Sequence, residues 1–496
     1  MLPLFLSSGL FLGWSLGAND ASNVFGTAVA SRMVRFRTAA VICSVFVILG
    51  AVAGGSGASH TLGQLGAVNA LAGAFMVAFS AAVTVYMMTV ARYPVSTSQA
   101  IVGAIIGWNL FSGSLTDPES LSKIVMTWVA CPVLAAFFAV AMYVPIARVI
   151  RGTSIHILTQ DTMTRWGLIL AGAFGSYALG ANNIANVMGV FVPVAPFHDI
   201  TLFGRLTLTP AQQLFFLGGV AIAAGVFTYS RRVMMTVGSG IVRLTPVGAF
   251  VVVTAHSLVL FVFSSQELSN ALRAVGLPAI PLVPVSSSQA IVGAVIGIGL
   301  LKGGGGIRWR TLGGIASSWI TTPVCATAIC FISLFFLQNV FGQKTYRPVH
   351  YELTPAAWER VIDMTAEDPT VRERLEDLYM ERFADAAQFR DALRTRLPDA
   401  QERIKPIMQL AEMDPIRITA EGVQMIDHNY LTPEEIQAVE ELSGQAFTHR
   451  WRLAEVLAEQ SPAWRKRTES NESEAERMRR LKYLFDVLRG NPNGSR

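Results

Sequence analysis

A sequence repeated within the chain constrains its fold more than any other feature. The stretch PVSTSQAIVGAIIGWNL at 94–110 recurs as PVSSSQAIVGAVIGIGL at 284–300, with 13 of 17 positions identical at an offset of 190. A related pair, WVACPV and WITTPV, follows the two copies at an offset of 191. Chance similarity between apolar segments does not account for the match, because the shared residues include Ser, Gln and Pro.

A second motif is duplicated upstream of these copies. GANDASNV at 17–24 matches GANNIANV at 180–187 at five of eight positions. Three matched blocks in the same order indicate a duplicated unit, which we assign to 1–150 and 160–343. We predict that these are two membrane repeats, and that 350–496 forms a soluble helical accessory domain.

Charge is distributed very unevenly between these regions. The 496 residues are 15% charged, whereas a typical soluble protein carries roughly 25% charged residues. Residues 1–343 contain 16 Lys plus Arg and 6 Asp plus Glu, while residues 344–496 contain 23 and 28. The first region is therefore predicted to lie in a bilayer, which excludes an ordinary soluble enzyme. Its positive excess lies in short loops, where it indicates topology rather than nucleic-acid binding.

Long apolar runs in the first region are candidate spanning helices, because roughly 20 residues cross the hydrocarbon core. They lie at about 2–16, 38–54, 67–91, 121–147, 164–179, 213–229, 244–264 and 311–337. The repeated segments at 94–110 and 284–300 begin with Pro and hydroxyl residues, a pattern that predicts half-helices or re-entrant hairpins. Such irregular backbone is tolerated only where it lines a protein-enclosed cavity. The predicted fold class is an all-α polytopic membrane protein with broken helices.

Duplicated membrane units with interrupted helices are typical of secondary transporters, whose substrate site lies near the midplane at the repeat interface. Hydroxyl and amide residues of the repeated segments fall where that site is expected. Together with half-helix N-termini, they offer neutral hydrogen-bond donors to an anion. We predict substrate contacts from Ser96, Thr97, Ser98, Gln99, Ser286, Ser287, Ser288 and Gln289.

One acidic residue stands out in the upstream motifs. Asp20 is the only carboxylate within a motif of the membrane region. An ionisable group in a membrane is a functional candidate, here as a cation ligand or proton carrier, although a structural Asp capping a broken helix is the alternative. The neighbouring asparagines can supply oxygen to a cation or N–H to an anion, and helix capping explains them equally well. These are Asn19, Asn23, Asn182, Asn183 and Asn186.

At this point the sequence resembles the inorganic phosphate transporters of the PiT type, which are cation-coupled phosphate symporters. Their signature is a duplicated GAND-like motif and a duplicated Pro-hydrophobe-Ser-Thr-Thr-His motif, and related motifs occur here in the same order over about 1–340. The resemblance implies an inverted-repeat fold, often dimeric, in which two GAND-like breaks and two hydroxyl hairpins enclose phosphate and sodium.

The resemblance also implies roles for individual residues. The asparagines and Asp20 form the central polar site, with Ser96 to Ser98 and Ser286 to Ser288 at the phosphate-contacting hairpin tips. The candidate sodium ligands are Asp20, Asn23, Asn183 and Asn186. No other cofactor is expected, and the implied partners are phosphate, a sodium ion or proton, the bilayer and a second copy of the chain in a homodimer.

The sequence departs from the family pattern in three places. Asn183 replaces the second acidic residue, Gln99 and Gln289 replace the His of the hydroxyl motifs, and His60 precedes Thr61 where many members have an acidic residue. Because hard cations prefer charged oxygen ligands, the loss of one carboxylate favours proton coupling or fewer sodium ions. His60 is a candidate for that coupling, with a hydrogen-bonded loop residue as the alternative, while His256 is interpreted as a core histidine.

The leading hypothesis is a phosphate symporter that works by alternating access. A sulfate or related oxyanion permease is the nearest alternative, but Asp20 can accept a hydrogen bond from protonated phosphate and would repel sulfate. A passive anion channel and a phosphate sensor remain further alternatives, whereas no acid/base or nucleophile set indicates an enzyme. The region from about 350 onward lacks catalytic motifs, and its pattern predicts charged amphipathic helices. The predicted location is the cell membrane, and arginines at 32, 35 and 37 place the first loop in the cytoplasm and the N-terminus outside. We also expect a cytoplasmic tail.

Overall fold

The computed structural model divides the chain into two compact units, Met1–Arg347 and Pro348–Arg496. The described residues are 2–66, 68–90, 95–153, 156–195, 197, 200–202, 206–237, 244–278, 280–304, 307–365, 368–424, 426, 431–465, 477–478, 480–481, 484–485 and 487–488. Each unit has its own buried apolar core.

The regular structure described in the first unit is helical apart from one short hairpin. Its helices are α1 Leu2–Ala30, α2 Phe36–Gly54, α3 Ser56–Leu65, α4 Leu71–Val90, α5 Thr97–Ser112, α6 Pro118–Gly152, α7 Ile157–Met188, α8 Pro210–Thr228, α9 Ser230–Val237, α10 Pro246–Ser264, α11 Gln266–Ala274, α12 Ser287–Leu301 and α13 Trp309–Asn339. Strands β1 Ile200–Leu202 and β2 Leu206–Leu208 pair antiparallel.

Seven helical segments of the described chain are long and apolar enough to cross a membrane. They are α2, α4, α6, α8 and α10, together with Ile157–Phe191 and Leu312–Asn339. The predicted run at 2–16 is absent from this set, because α1 continues from it through the polar GANDASNV motif. Helix α12 is apolar but has only 15 residues, which is short for a full crossing. The prediction of an all-α polytopic membrane protein is confirmed.

Local sequence signals explain where several helices begin. Ser96 and Ser286 cap α5 and α12 by accepting hydrogen bonds from the backbone N–H groups of Gln99 and Gln289, each at 3.3 Å. Thr209 caps α8 through a capping box. A side-chain acceptor at this position satisfies a backbone N–H that has no partner within the helix. The hydroxyl motifs therefore start with a residue that fixes the helix N-terminus.

The two halves of the first unit pack in a reciprocal way. Helix α5 packs on α13, and its counterpart α12 packs on α6. A Cβ atom at Gly103 would overlap the carbonyl oxygen of Pro323, and one at Gly293 would overlap that of Pro132. Both glycines and both prolines are matched pairs in the sequence duplication. In each half, therefore, the glycine of the hydroxyl motif allows its helix to lie against the matched proline of the other half.

A second reciprocal contact involves the helices that carry the GAND-like motifs. Helix α1 packs on α8, while α7 packs on α2. A Cβ atom at Gly17 would overlap the backbone of Ile222, and one at Gly180 would overlap that of Val47. The first glycine of each motif therefore allows its helix to lie against the backbone of a helix from the other half.

The predicted breaks at the GAND-like motifs are wrong in position. Helices α1 and α7 run without interruption through 17–24 and 180–187. Helical interruptions occur instead at Gly55, between α2 and α3, and at Tyr229, between α8 and α9. The motifs stay helical because their small residues permit close packing, and because several of their amide side chains find partners at the beginning of α5 and α12 rather than on the backbone of a break in their own helix.

The second unit combines short helices with small sheets. Its helices are α14 Pro355–Met364, α15 Pro369–Leu375, α16 Ala386–Arg396, α17 Gln401–Ala411, α18 Ala420–Gln424, α19 Pro433–Glu440 and α20 Arg450–Gln460. Its strands are β3 His350–Glu352, β4 Arg382–Phe383, β5 Glu412–Met413, β6 Ile416–Arg417 and β7 Ala446–Phe447, in sheets of order β4-β3-β5 and β6-β7. The strands were not predicted from the sequence.

A buried carboxylate in this unit gives a test of its stability. Glu435 is 3% exposed, bonds the backbone N–H of Thr432 at 2.8 Å, and accepts from Arg480 at 2.9 and 3.1 Å. Because Glu435→Ala removes the acceptor of the Thr432 N–H and of Arg480, and a buried donor left without a partner costs about 1 to 3 kcal/mol, the variant should markedly speed hydrogen exchange in α19 of the full-length protein. Exposed Glu434→Ala is the control, and equal exchange rates in the two variants would contradict the prediction.

Candidate functional site

The residues of the first GAND-like motif lie on the buried part of α1. Asn19 donates to Asp20 Oδ1 at 2.8 Å and to the carbonyl oxygen of Val95 at 3.4 Å. One helical turn later, Asn23 donates to Ser287 Oγ at 2.9 Å. Helix α1 therefore contacts the beginning of both hydroxyl motifs, one from each half of the unit.

The second GAND-like motif has the corresponding position on α7. Asn182 donates to the carbonyl oxygen of Val285 at 2.8 Å and accepts from its N–H at 3.0 Å. Asn186 donates to Ser98 Oγ at 2.8 Å and to Asn183 Oδ1 at 3.0 Å. The two bonds to Val285 satisfy the extended backbone just before α12, as a neighbouring strand would. Helix α7, like α1, thus contacts both hydroxyl motifs.

The hydroxyl motifs also contact each other. Ser98 donates to the carbonyl oxygen of Val285 at 3.1 Å. Within the second motif, the Ser286 and Ser288 hydroxyls are 3.1 Å apart. All fourteen predicted site residues, eight from the hydroxyl motifs and six from the GAND-like motifs, are at least 93% buried. Sequence positions from 19 to 289 are brought together where α1, α5, α7 and α12 meet. The structure therefore assembles the predicted residues into one polar cluster inside an apolar bundle.

Several buried polar atoms of the cluster have no hydrogen-bond partner among the described residues. They are Thr97 Oγ1, Gln99 Oε1, Gln289 Oε1 and Asn186 Oδ1. Buried polar atoms are usually paired, and amide oxygens are acceptors that suit a cation or a protonated ligand. The unpaired atoms therefore mark places in the cluster where a ligand can contribute the missing interaction.

Among the described residues, charge within the cluster is limited to one side chain. Asp20 is 2% exposed, and neither hydroxyl motif nor the GANNIANV motif contains an acidic or basic residue. Asn183, which occupies the place of a second acid, donates to the carbonyl oxygen of Leu179 at 3.2 Å. Because a buried charge without compensation is costly, Asp20 in such surroundings either binds a proton and becomes neutral or stays ionised beside a cation.

A residue that the sequence interpretation assigned to the core belongs to this cluster. His256 in α10 is fully buried, and its Nε2 atom is 2.9 Å from Ser287 Oγ. Its partner is 31 positions away, so no local motif signals the contact. The side chain of His60, the other histidine considered for coupling, lies outside the described residues.

A small cavity lies beside the cluster. It has a volume of about 10 Å³ and is lined by Trp14, Ser15, Ala18, Tyr86, Thr89, Val90 and Tyr229. Ser15 precedes Asn19 by four residues and therefore lies about one helical turn from it. Trp14 closes one side by donating to Thr228 Oγ1 at 2.9 Å. The cavity has room for about one water molecule.

The sequence of this chain matches a known protein family. A model described as the phosphate transporter family matches residues 16–330, and a second match covers 277–394. The second match extends past residue 340, where the sequence resemblance was predicted to end, into the second unit.

Individual relatives agree with this match. Inorganic phosphate transporter 2-1, chloroplastic, from Arabidopsis thaliana is 25% identical over 434 residues, covering 66% of this chain and 71% of that protein. A Methanocaldococcus jannaschii protein whose name contains the words phosphate permease is 28% identical over 332 residues, covering 67% and 96%.

A solved structure described as the sodium-dependent phosphate transporter has a TM-score of 0.54 at 22% identity, covering 68% of this chain and 98% of that one. This likeness supports the fold of the helical unit. The family model matches more than half of the residues, over the same helices that assemble the polar cluster. The chain is therefore a multi-pass membrane protein that belongs to the phosphate transporter family.

Proposed function

We propose that the protein carries inorganic phosphate across the membrane in symport with sodium or protons. The observation that carries this proposal is the meeting of both hydroxyl motifs and both GAND-like motifs around a single buried carboxylate. Such a cluster offers many neutral donors for phosphate oxygens and one site for a positive charge. Membership of a phosphate transporter family supports phosphate as the substrate.

Phosphate recognition in this proposal depends on neutral donors. Serine and threonine hydroxyls of the two motifs, with asparagine amides, surround the oxygens of the anion without forming a tight ion pair. Asp20 accepts a hydrogen bond from the protonated oxygen that phosphate carries near neutral pH. Sulfate has no such proton and meets an ionised Asp20 with repulsion, so phosphate is preferred over sulfate.

The coupling cation in this proposal is held close to Asp20. Oxygen atoms of Asn23, Asn183 and Asn186 are candidate sodium ligands, and Asn186 Oδ1 is buried without a protein partner among the described residues. With one carboxylate rather than two, the site suits fewer sodium ions or a proton. Asp20 is therefore the group on which coupling depends.

Alternating access is proposed to arise from the reciprocal packing of the two halves. Several donors of the cluster now bond other protein groups, as Ser98 does with Val285. Phosphate entry requires such bonds to exchange for bonds to the anion, which links substrate binding to movement between the halves. We further propose that 1–150 and 160–343 are inverted repeats, that the protein is a homodimer, and that 350–496 is a cytoplasmic accessory domain.

Uptake of labelled phosphate into proteoliposomes tests the proposed function. We expect accumulation above equilibrium when an inward sodium or proton gradient is imposed, with little competition from an equal concentration of sulfate. The two gradients are imposed separately, so that the experiment also identifies the coupling ion. Uptake that only equilibrates under every gradient would indicate a channel, and uptake of sulfate in preference to phosphate would indicate the alternative permease.

A further inference from the structure

Matched positions in the two hydroxyl motifs have different surroundings. Thr97 and Ser287 occupy the same place in PVSTSQ and PVSSSQ. The hydroxyl of Thr97 is buried without a partner among the described residues. By contrast, Ser287 Oγ is 2.9 Å from Asn23 Nδ2 and 2.9 Å from His256 Nε2. At this position, therefore, the hydroxyl group of the second motif is held by two partners, while that of the first motif has none among the described residues.

The hydrogen-bonding capacity of Ser287 limits what its hydroxyl can do. A serine oxygen has two acceptor lone pairs and one hydrogen to donate. Asn23 Nδ2 is a donor, so it occupies one lone pair. The His256 ring can then either donate a hydrogen bond to the second lone pair or accept one from the serine hydroxyl.

The surroundings of the other ring nitrogen of His256 indicate which nitrogen carries the proton. His256 Nδ1 is buried without a partner among the described residues. An unpaired buried N–H is rarer in proteins than an under-satisfied acceptor, so the ring is expected to leave its lone pair, and not its proton, at Nδ1. The proton of the neutral ring then lies on Nε2, from which it is donated to Ser287 Oγ.

We propose that His256 is a positioning residue that, with Asn23, occupies both lone pairs of Ser287 and turns its hydroxyl hydrogen toward a bound oxyanion. The inference rests on the proposed transport function, since it assigns the direction of one hydrogen bond in that site. Ser287 in this state can donate but cannot ligate a cation. A hydroxyl held in this way favours a ligand with an unprotonated oxygen at this position, as phosphate has.

The test compares single and double variants of the full-length protein in proteoliposomes. Kinetics of uptake are measured with phosphate and with sulfate for His256→Leu, His256→Gln, Ser287→Ala and the double variant His256→Leu/Ser287→Ala. Glutamine can place an amide donor near the position of Nε2, whereas leucine cannot. Thr254→Val is the matched control on α10, because the Thr254 hydroxyl bonds the Phe250 carbonyl of its own helix.

We expect Ser287→Ala and His256→Leu each to raise KM for phosphate about tenfold with a smaller change in maximal rate, since one hydrogen bond to a charged ligand is lost. The double variant should be no worse than Ser287→Ala, because His256 acts through Ser287. His256→Gln should recover most of the affinity, and Thr254→Val should match the parent protein.

Different failures have different meanings. Additive losses in the double variant, an unchanged KM in His256→Leu, or a glutamine variant no better than leucine would each overturn the role of His256 while leaving phosphate symport intact. If the parent protein takes up neither phosphate nor sulfate under any gradient, the proposed function and the role of His256 both fail. Phosphate-dependent thermal stabilisation of each variant separates loss of binding from loss of folding.

Discussion

Replacing Asp20 by Asn is expected to abolish phosphate accumulation driven by a cation gradient, with a loss of about 100-fold or more in concentrative uptake. Asp20 is the only carboxylate that the described residues bring to the polar cluster, and Asn lacks the charge that attracts a cation and the group that carries a proton. The substitution preserves side-chain size, and its oxygen can still accept the hydrogen bond from Asn19 Nδ2. Loss of uptake therefore reports the charge rather than the packing.

The measurement is labelled phosphate accumulation in proteoliposomes under sodium and proton gradients. Asp161→Asn is the control, because Asp161 is an exposed residue whose ion pair with Arg165, at 3.3 Å, lies at the start of α7. That variant should transport normally, since exposed ion pairs contribute little to stability. Normal gradient-driven accumulation by Asp20→Asn would remove the coupling role from this residue.

Adding a methyl group at Gly103 or Gly293 is expected to destabilise the helical unit by about 1 to 3 kcal/mol. At both positions the new Cβ would overlap a backbone carbonyl oxygen, of Pro323 and Pro132 respectively. Backbone atoms cannot rotate away as a side chain does, so the helices must separate. Valine at either position should prevent recovery of the folded protein altogether.

Thermal unfolding in detergent checks this expectation. Gly313→Ala on α13 is the control, because the added methyl group at that exposed position meets no neighbouring atom. Alanine is also a better helix former than glycine by about 1 kcal/mol, so the control should be slightly more stable than the parent. If Gly103→Ala and Gly293→Ala unfold at the temperature of the control, the reciprocal contacts do not hold the two halves together.

The sequence allowed the membrane unit and its polar cluster to be predicted for a specific physical reason. Polar residues such as Asn182 and Ser287 are costly in an apolar helix, so their repetition in matched positions indicates a shared function. The pairing of α5 with α13 could not be predicted, because duplication identifies equivalent positions without saying which half contacts which. Continuity of α1 through Asp20 was also missed, since polar residues in a helix are compatible with either a break or a packed interior.

Other features could not be predicted, because the segments that form them are very short or because the residues in contact are far apart in the sequence. Strands β4 and β7 have two residues each, too few for an alternating pattern. The contact of His256 with Ser287 joins two different helices, α10 and α12. A buried histidine in an apolar helix looks the same in the sequence whether its partner is a backbone carbonyl or a substrate-site hydroxyl.

The reciprocal packing of the two halves has a consequence for biosynthesis. When translation has reached residue 152, α5 and α6 have been made, but their packing partners α13 and α12 have not. Gly103, whose close approach to Pro323 is described above, then faces lipid or another protein. The first half therefore lies in the membrane without these packing contacts until the second half is inserted. Two separately expressed halves should accordingly be unstable alone and recover their fold when produced together.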